Sequence, residues 1–140
     1  ACRRQRQMCI RDSFISIIEK RGKEIDIDPL KIEKNKANLL GTPIILAVIC
    51  SPSISSKIPK IEQILSCGAL CMNILNNFLV KGWGANWLTG WMANDKKFGE
   101  LAFNNTKNEF VAGYIYVGSY EVINPDRPRP SLDEKISYFK

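Results

Sequence analysis

Residues Pro43 to Cys50 (PIILAVIC) form a continuous apolar, β-branched run, bounded by Gly41-Thr42 before it and Ser51-Pro52-Ser53 after it. Such a segment has no polar side to turn to water, so it predicts a strand at the centre of a sheet, covered on both faces. A second segment, Glu109 to Gly118 (EFVAGYIYVG), is rich in β-branched and aromatic residues and predicts another strand. Between them lies a helix predicted over about Lys60 to Lys81. Ile61, Ile64, Leu65, Gly68, Met72, Leu75 and Leu79 follow its i, i+3, i+4, i+7 template, and Gly82 supplies the stop. Ala69, Leu70 and Ile74 carry the apolar surface beyond one stripe, and burial against a second subunit is one way to satisfy it.

The flanking segments are shorter. Phe14 to Glu19 is an apolar-periodic piece for which Gly22 predicts a helix C-cap. Asp28 followed by Pro29 predicts a helix start, with Leu30 and Ile32 on its buried side. Gly82 to Gly90 reads as a short strand or turn leading into a loop, followed by a helix from about Asp95 to Phe103. Three prolines make Asn124 to Pro130 extended. A helical turn follows, and the pair Tyr138-Phe139 is expected to dock. No internal repeat is visible. No uninterrupted apolar run reaches the roughly 18–20 residues that span a bilayer.

A chain of 140 residues is one domain by size, and its 45% hydrophobic content suits a packed core. Its 20 Lys and Arg against 14 Asp and Glu give +6, which invites a polyanionic partner. Arg3, Arg4, Arg6 and Arg11 crowd into the first 13 residues, however, whereas the remainder draws its positive charge almost wholly from lysine. Back-translated, Gln7 to Ser13 resembles the transposon-end adapter used in preparing sequencing libraries, so residues 1–13 are read as a scar outside the domain. Removing four positive charges and one negative leaves 16 against 13, or +3, which points to neither nucleic acid nor a membrane surface. Without Cys2 and Cys9 three cysteines remain, an odd number unlike a secreted disulfide framework, and the absence of histidine removes Cys/His zinc sites. A cytoplasmic location is the expectation.

Three constellations stand out. Beyond the first 13 residues the arginines are Arg21, Arg127 and Arg129, and the last two share an Arg-Pro-Arg-Pro stretch. In an extended segment alternate side chains share a side, so their planar forks could converge on one phosphate; the other reading is a solvated tail. Trp83, Trp87 and Trp91 recur every four residues among glycines, where they either stack on a flat ligand or fill the core and a subunit interface. Cys67 and Cys71 share a helix face, as a redox pair, a thiolate site or buried structural thiols. No acid–base pair or histidine-activated nucleophile is recognisable, so an enzyme of this composition relies on a cofactor.

Taken in order, PIILAVIC, then KIPKIEQILSCGALCMNILNNFLVKGWGANWLTG, FVAGYIYVG and PDRPRPSLDEKISYF resemble the FMN-dependent nitroreductase family, in particular its small, single-domain bacterial members, over about residues 37–140. Gln63, the Gly-x-Gly-x-x-Trp-x-x-Gly run from Gly82 to Gly90 and the terminal Arg-Pro-Arg-Pro carry the likeness. The resemblance implies an α+β fold, a three-layer α/β/α sandwich with a central mixed, mainly antiparallel sheet. It also implies a homodimer with FMN at the interface, and hydride passed from NADH or NADPH to nitro compounds, quinones or similar small acceptors. By the same resemblance Trp87, Leu88, Thr89 and Gly90 would lie along the flavin ring, and Arg127 and Arg129 would grip the FMN phosphate. Leu88 departs from members that place an arginine after the loop tryptophan. The basic N-terminal segment of the family has no match here, so residues 14–140 read as the C-terminal part of the domain. The alternative from another class is a non-catalytic flavin- or ligand-binding member, or an inactive fragment.

Overall fold

The computed structural model describes residues 2–54, 57–121, 125 and 128–139. Helix α1 spans Cys2–Glu24, α2 Pro29–Gly41, α3 Lys60–Val80, α4 Gly90–Asn94 and α5 Lys96–Phe103; the strands are β1 Ile44–Cys50, β2 Gly84–Leu88 and β3 Phe110–Gly118. Three strands pair in the order β1-β3-β2, antiparallel throughout, with Ile44 opposite Val117 and Gly84 opposite Gly118. The centre is therefore β3. The PIILAVIC segment, expected there, occupies an edge among the described strands, and only Val48 and Cys50 of it are fully buried.

Helices cover both faces, giving the expected three layers. On one face Val111 and Tyr114 pack with Ile18, Ile32, Met92 and Phe98 from α1, α2, α4 and α5. On the other, Val48, Ile115 and Val117 pack against Cys71 of α3. A β-bulge reconciles these sets with the alternation of a strand. Val48 lies opposite Gly113 and Ile49 opposite Val111, so Ala112 is an extra residue in β3. It lets Ala112 and Ile115, three apart, face α3 together. Without it one of them would turn to the opposite layer.

Local signals explain most helix boundaries. The Asp28 side chain accepts from the Leu30 N–H at 2.8 Å and Pro29 opens α2, as expected. Ile32 is buried but Leu30 is 79% exposed, so the apolar side of α2 begins later than its sequence suggests. Gly22 is not a cap: α1 continues to Glu24, and a Cβ on Gly22 would sit 2.8 Å from Ile32 Cδ1, so this glycine lets α1 and α2 approach. Residues 2–13 enter as the first turns of α1, and Arg11 donates to the Leu40, Thr42 and Pro43 carbonyls at the end of α2.

The longest buried contact with the sheet comes from α3, through Cys67, Ile74, Leu75 and Phe78. Its 21 residues carry only Lys60 and Glu62 as charges, and by length and composition it is, among the described residues, the one helix that could cross a bilayer. Its polar interruptions are neutral, which is why no unbroken apolar run reveals it. On the outer side Ile61, Leu65, Met72 and Leu79 are exposed along one stripe. Tyr138 and Phe139, expected to dock, are 87% and 98% exposed on the single chain.

Candidate functional site

At the free edge of the sheet, β2 runs into α4 through Thr89, and this corner contains four of the six residues singled out from the sequence. Among the described residues β2 is paired with β3 alone, which leaves its other backbone edge open there. Trp87 and Leu88 are 37% and 42% exposed, and Thr89 and Gly90 are exposed as well. Gly90 adopts φ +67°, which turns the chain from strand to helix, and a Cβ built there meets nothing within 4 Å. Thr89 precedes α4 without a side-chain cap hydrogen bond. The corner therefore presents backbone and one hydroxyl to open space.

The corner is held from behind by Trp87. Its indole crosses β3, and Nε1 donates to the Ala112 carbonyl at 3.3 Å. The crossing requires Gly113, where a Cβ would fall 1.8 Å from Nε1. Bulge, glycine and tryptophan thus form one device. Of the other tryptophans, Trp91 belongs to the core, against Phe98 at 5.3 Å, and donates to Asn35 Oδ1 at 2.9 Å. Trp83 is half-exposed before β2.

Beside the corner is a cleft of about 340 Å³ lined by Thr89, Asn94, Asp95, Lys96, Glu109 and Phe110. Two of its carboxylates are held below their usual pKa. For Asp95 the main cause is the Arg21 guanidinium, which donates from Nε at 2.7 Å and from a terminal nitrogen at 2.9 Å; burial works against it, and the Phe98 N–H adds support. For Glu109 the main cause is the Thr106 N–H at 2.7 Å. The two-point Arg21–Asp95 pair joins α1 to the cap of α5, a role for Arg21 that sequence reading missed. Residues 74 positions apart give no local signal of it.

A larger cavity, about 460 Å³, lies away from the corner between α1, α2 and the sheet, where Phe14, Ile18, Leu39, Ile45 and Tyr114 make it largely apolar. None of the sequence-predicted site residues lines it. Arg129 is exposed in the C-terminal tail, and Arg127 lies outside the described residues. The expected convergence of the two on one phosphate thus has one described member.

No family model matches the chain. It is 24% identical over 134 residues to YdjA of Escherichia coli (strain K12), provisionally named an NAD(P)H nitroreductase, covering 92% of this chain and 70% of that protein. The same figures hold for YdjA of Escherichia coli O157:H7. Among solved structures, a nitroreductase-like family protein from Bacillus cereus superposes with a TM-score of 0.72 at 19% identity, over 92% of this chain and 67% of the other. A BluB-like flavoprotein from Clostridium difficile 630 gives 0.61 at 17% identity, over 94% and 75%. The shared helix–sheet–helix layering gives the chain the fold of nitroreductase-like proteins, and its sequence is similar to that of YdjA.

Proposed function

We propose that this chain is a cytoplasmic, homodimeric, FMN-dependent oxidoreductase that uses NADH or NADPH to reduce a nitro compound, quinone or similar small acceptor. The observation that carries this reading is the β2–α4 corner: an open strand edge ending at Thr89 and Gly90, stiffened by the Trp87 indole over Gly113. A flat, hydrogen-bonding heterocycle suits such an edge, because backbone N–H groups there can donate without any side chain in the way. Bound FMN would supply the hydride relay, a chemistry no side chain of this composition offers.

The chain's own residues then bind and orient. Leu88 offers apolar contact, while the Thr89 and Gly90 N–H groups donate to the ring. Arg127 and Arg129 hold the phosphate through charge-assisted bonds. The exposed Ile61, Leu65, Met72 and Leu79 stripe of α3 supplies an apolar surface for a second copy of the chain. Replacing Arg127 and Arg129 together by Ala is expected to weaken FMN retention at least tenfold, since two charge-assisted contacts contribute roughly 1.5–3 kcal/mol each. Unchanged retention, measured by flavin fluorescence, would remove both from the site.

A further inference from the structure

The cavity between α1, α2 and the sheet takes no part in the flavin reading. Phe14, Phe103 and Tyr114 line it as a run of rings with centroids 5.5 and 6.2 Å apart, and Ile18, Ala47 and Met92 add further apolar wall. An apolar space of this kind disfavours water and favours an apolar guest. Its volume of about 460 Å³ suits a small molecule, since ligand pockets run to about 300–1,000 Å³.

Two polar groups of the lining residues are unspent. Asn35 Oδ1 accepts from the Trp91 indole at 2.9 Å, which leaves its Nδ2 as a donor. Neither that nitrogen nor the Tyr116 hydroxyl has a hydrogen-bond partner among the described residues, and neither is sealed from solvent. Burial holds the Tyr116 phenol above its usual pKa, so it remains protonated and able to donate. The Tyr114 hydroxyl, by contrast, already donates to the Met92 carbonyl at 3.3 Å. Charge argues against an ionic guest. Among the described lining residues only Arg11 is charged, and its terminal nitrogens already donate to the Leu40, Thr42 and Pro43 carbonyls. An anion would lose its hydration without a free guanidinium in return, and a cation would meet no carboxylate.

We propose that this cavity binds a neutral, flat aromatic molecule carrying a carbonyl, with its ring against Phe14, Phe103 and Tyr114 and its oxygen accepting from the Tyr116 hydroxyl. The Asn35 amide is the second donor of the wall. The guest's ring gains stacked or edge contacts with the aromatic wall, and its carbonyl meets a donor that is otherwise unpaired. Because the cavity lies away from the β2–α4 corner, the site stands independently of the flavin reading.

The test titrates the full chain, without flavin, with the neutral naphthyl ketone prodan, whose emission moves to the blue in apolar surroundings and to the red when its carbonyl accepts a hydrogen bond. The expected result is saturable, blue-shifted binding that acetonaphthone displaces and FMN does not. Methyl NMR of the same complex should show shifts at Ile18, Ala47, Met92 and Ala102, with Leu88 and the α3 residues Leu65, Met72 and Leu79 unmoved. Tyr116→Phe keeps the ring and is expected to weaken binding about three- to tenfold, the worth of one neutral hydrogen bond, while moving the bound emission further to the blue. Absence of saturable binding, displacement by FMN, or shifts at Leu88 or along α3 would overturn the proposal, and none of these readouts needs a variant to fold. Unchanged affinity and emission in Tyr116→Phe would overturn it as well. So would nuclear Overhauser contacts from the Tyr138 or Phe139 ring to the same methyls in the free chain, which would make the tail the occupant.

Discussion

Gly113 shows how one residue fixes the candidate site. With any side chain there, the Trp87 indole has to leave its place across β3 and its bond to the Ala112 carbonyl breaks. Gly113→Ala is therefore expected to destabilise the fold by about 1–3 kcal/mol through overpacking and to shift tryptophan emission to the red. A urea titration followed by fluorescence checks both. Asp95 carries the corresponding electrostatic expectation. Its folded pKa lies below its unfolded value of about 3.9, so the stability it contributes is complete above that pH and is lost as pH falls through the folded value. The stability of the wild-type chain should consequently fall more steeply below about pH 4 than that of Asp95→Asn. Parallel acid-unfolding curves would show that the Arg21–Asp95 pair contributes nothing.

At the scale of elements, α3 presents a sheet-facing side and an outer side that are both apolar. Burial of the first is visible in the fold, while Ile61, Leu65, Met72 and Leu79 still meet water on the second. An apolar stripe of this kind marks an association surface. If the proposed homodimer uses this stripe, Leu65→Glu with Met72→Glu converts it to monomer in analytical ultracentrifugation at unchanged far-UV circular dichroism; an unaltered sedimentation coefficient would move the interface elsewhere. The elements also show what a sequence expresses. The α3 periodicity, the Asp28-Pro29 start and the β-branched content of β3 are local properties, and they led to the right elements. Which strand lies at the centre is a property of pairing, and among the described strands it is β3 and not β1. The α4 turn was missed because five residues behind Gly90 carry too little periodicity to register. Gly22 looked like a stop because its real reason, the approach of Ile32, comes from another helix.

For the whole molecule, the corner at Trp87–Gly90 is legible as a glycine- and tryptophan-rich string, but its support is not, because the bulge at Ala112 and the gap at Gly113 lie 25 and 26 residues beyond Trp87. The +6 of the full chain says little about function, whereas the layering and the open edge of β2 say more. Flavin binding at that edge is what the proposed function requires. FMN titrated into the purified chain should bind saturably, with quenched flavin fluorescence, and the visible absorbance of the complex should bleach when NADH or NADPH is added without oxygen. Flavin that stays free at saturating protein would contradict the account, and flavin that binds but is never bleached would leave a binding protein in place of an oxidoreductase.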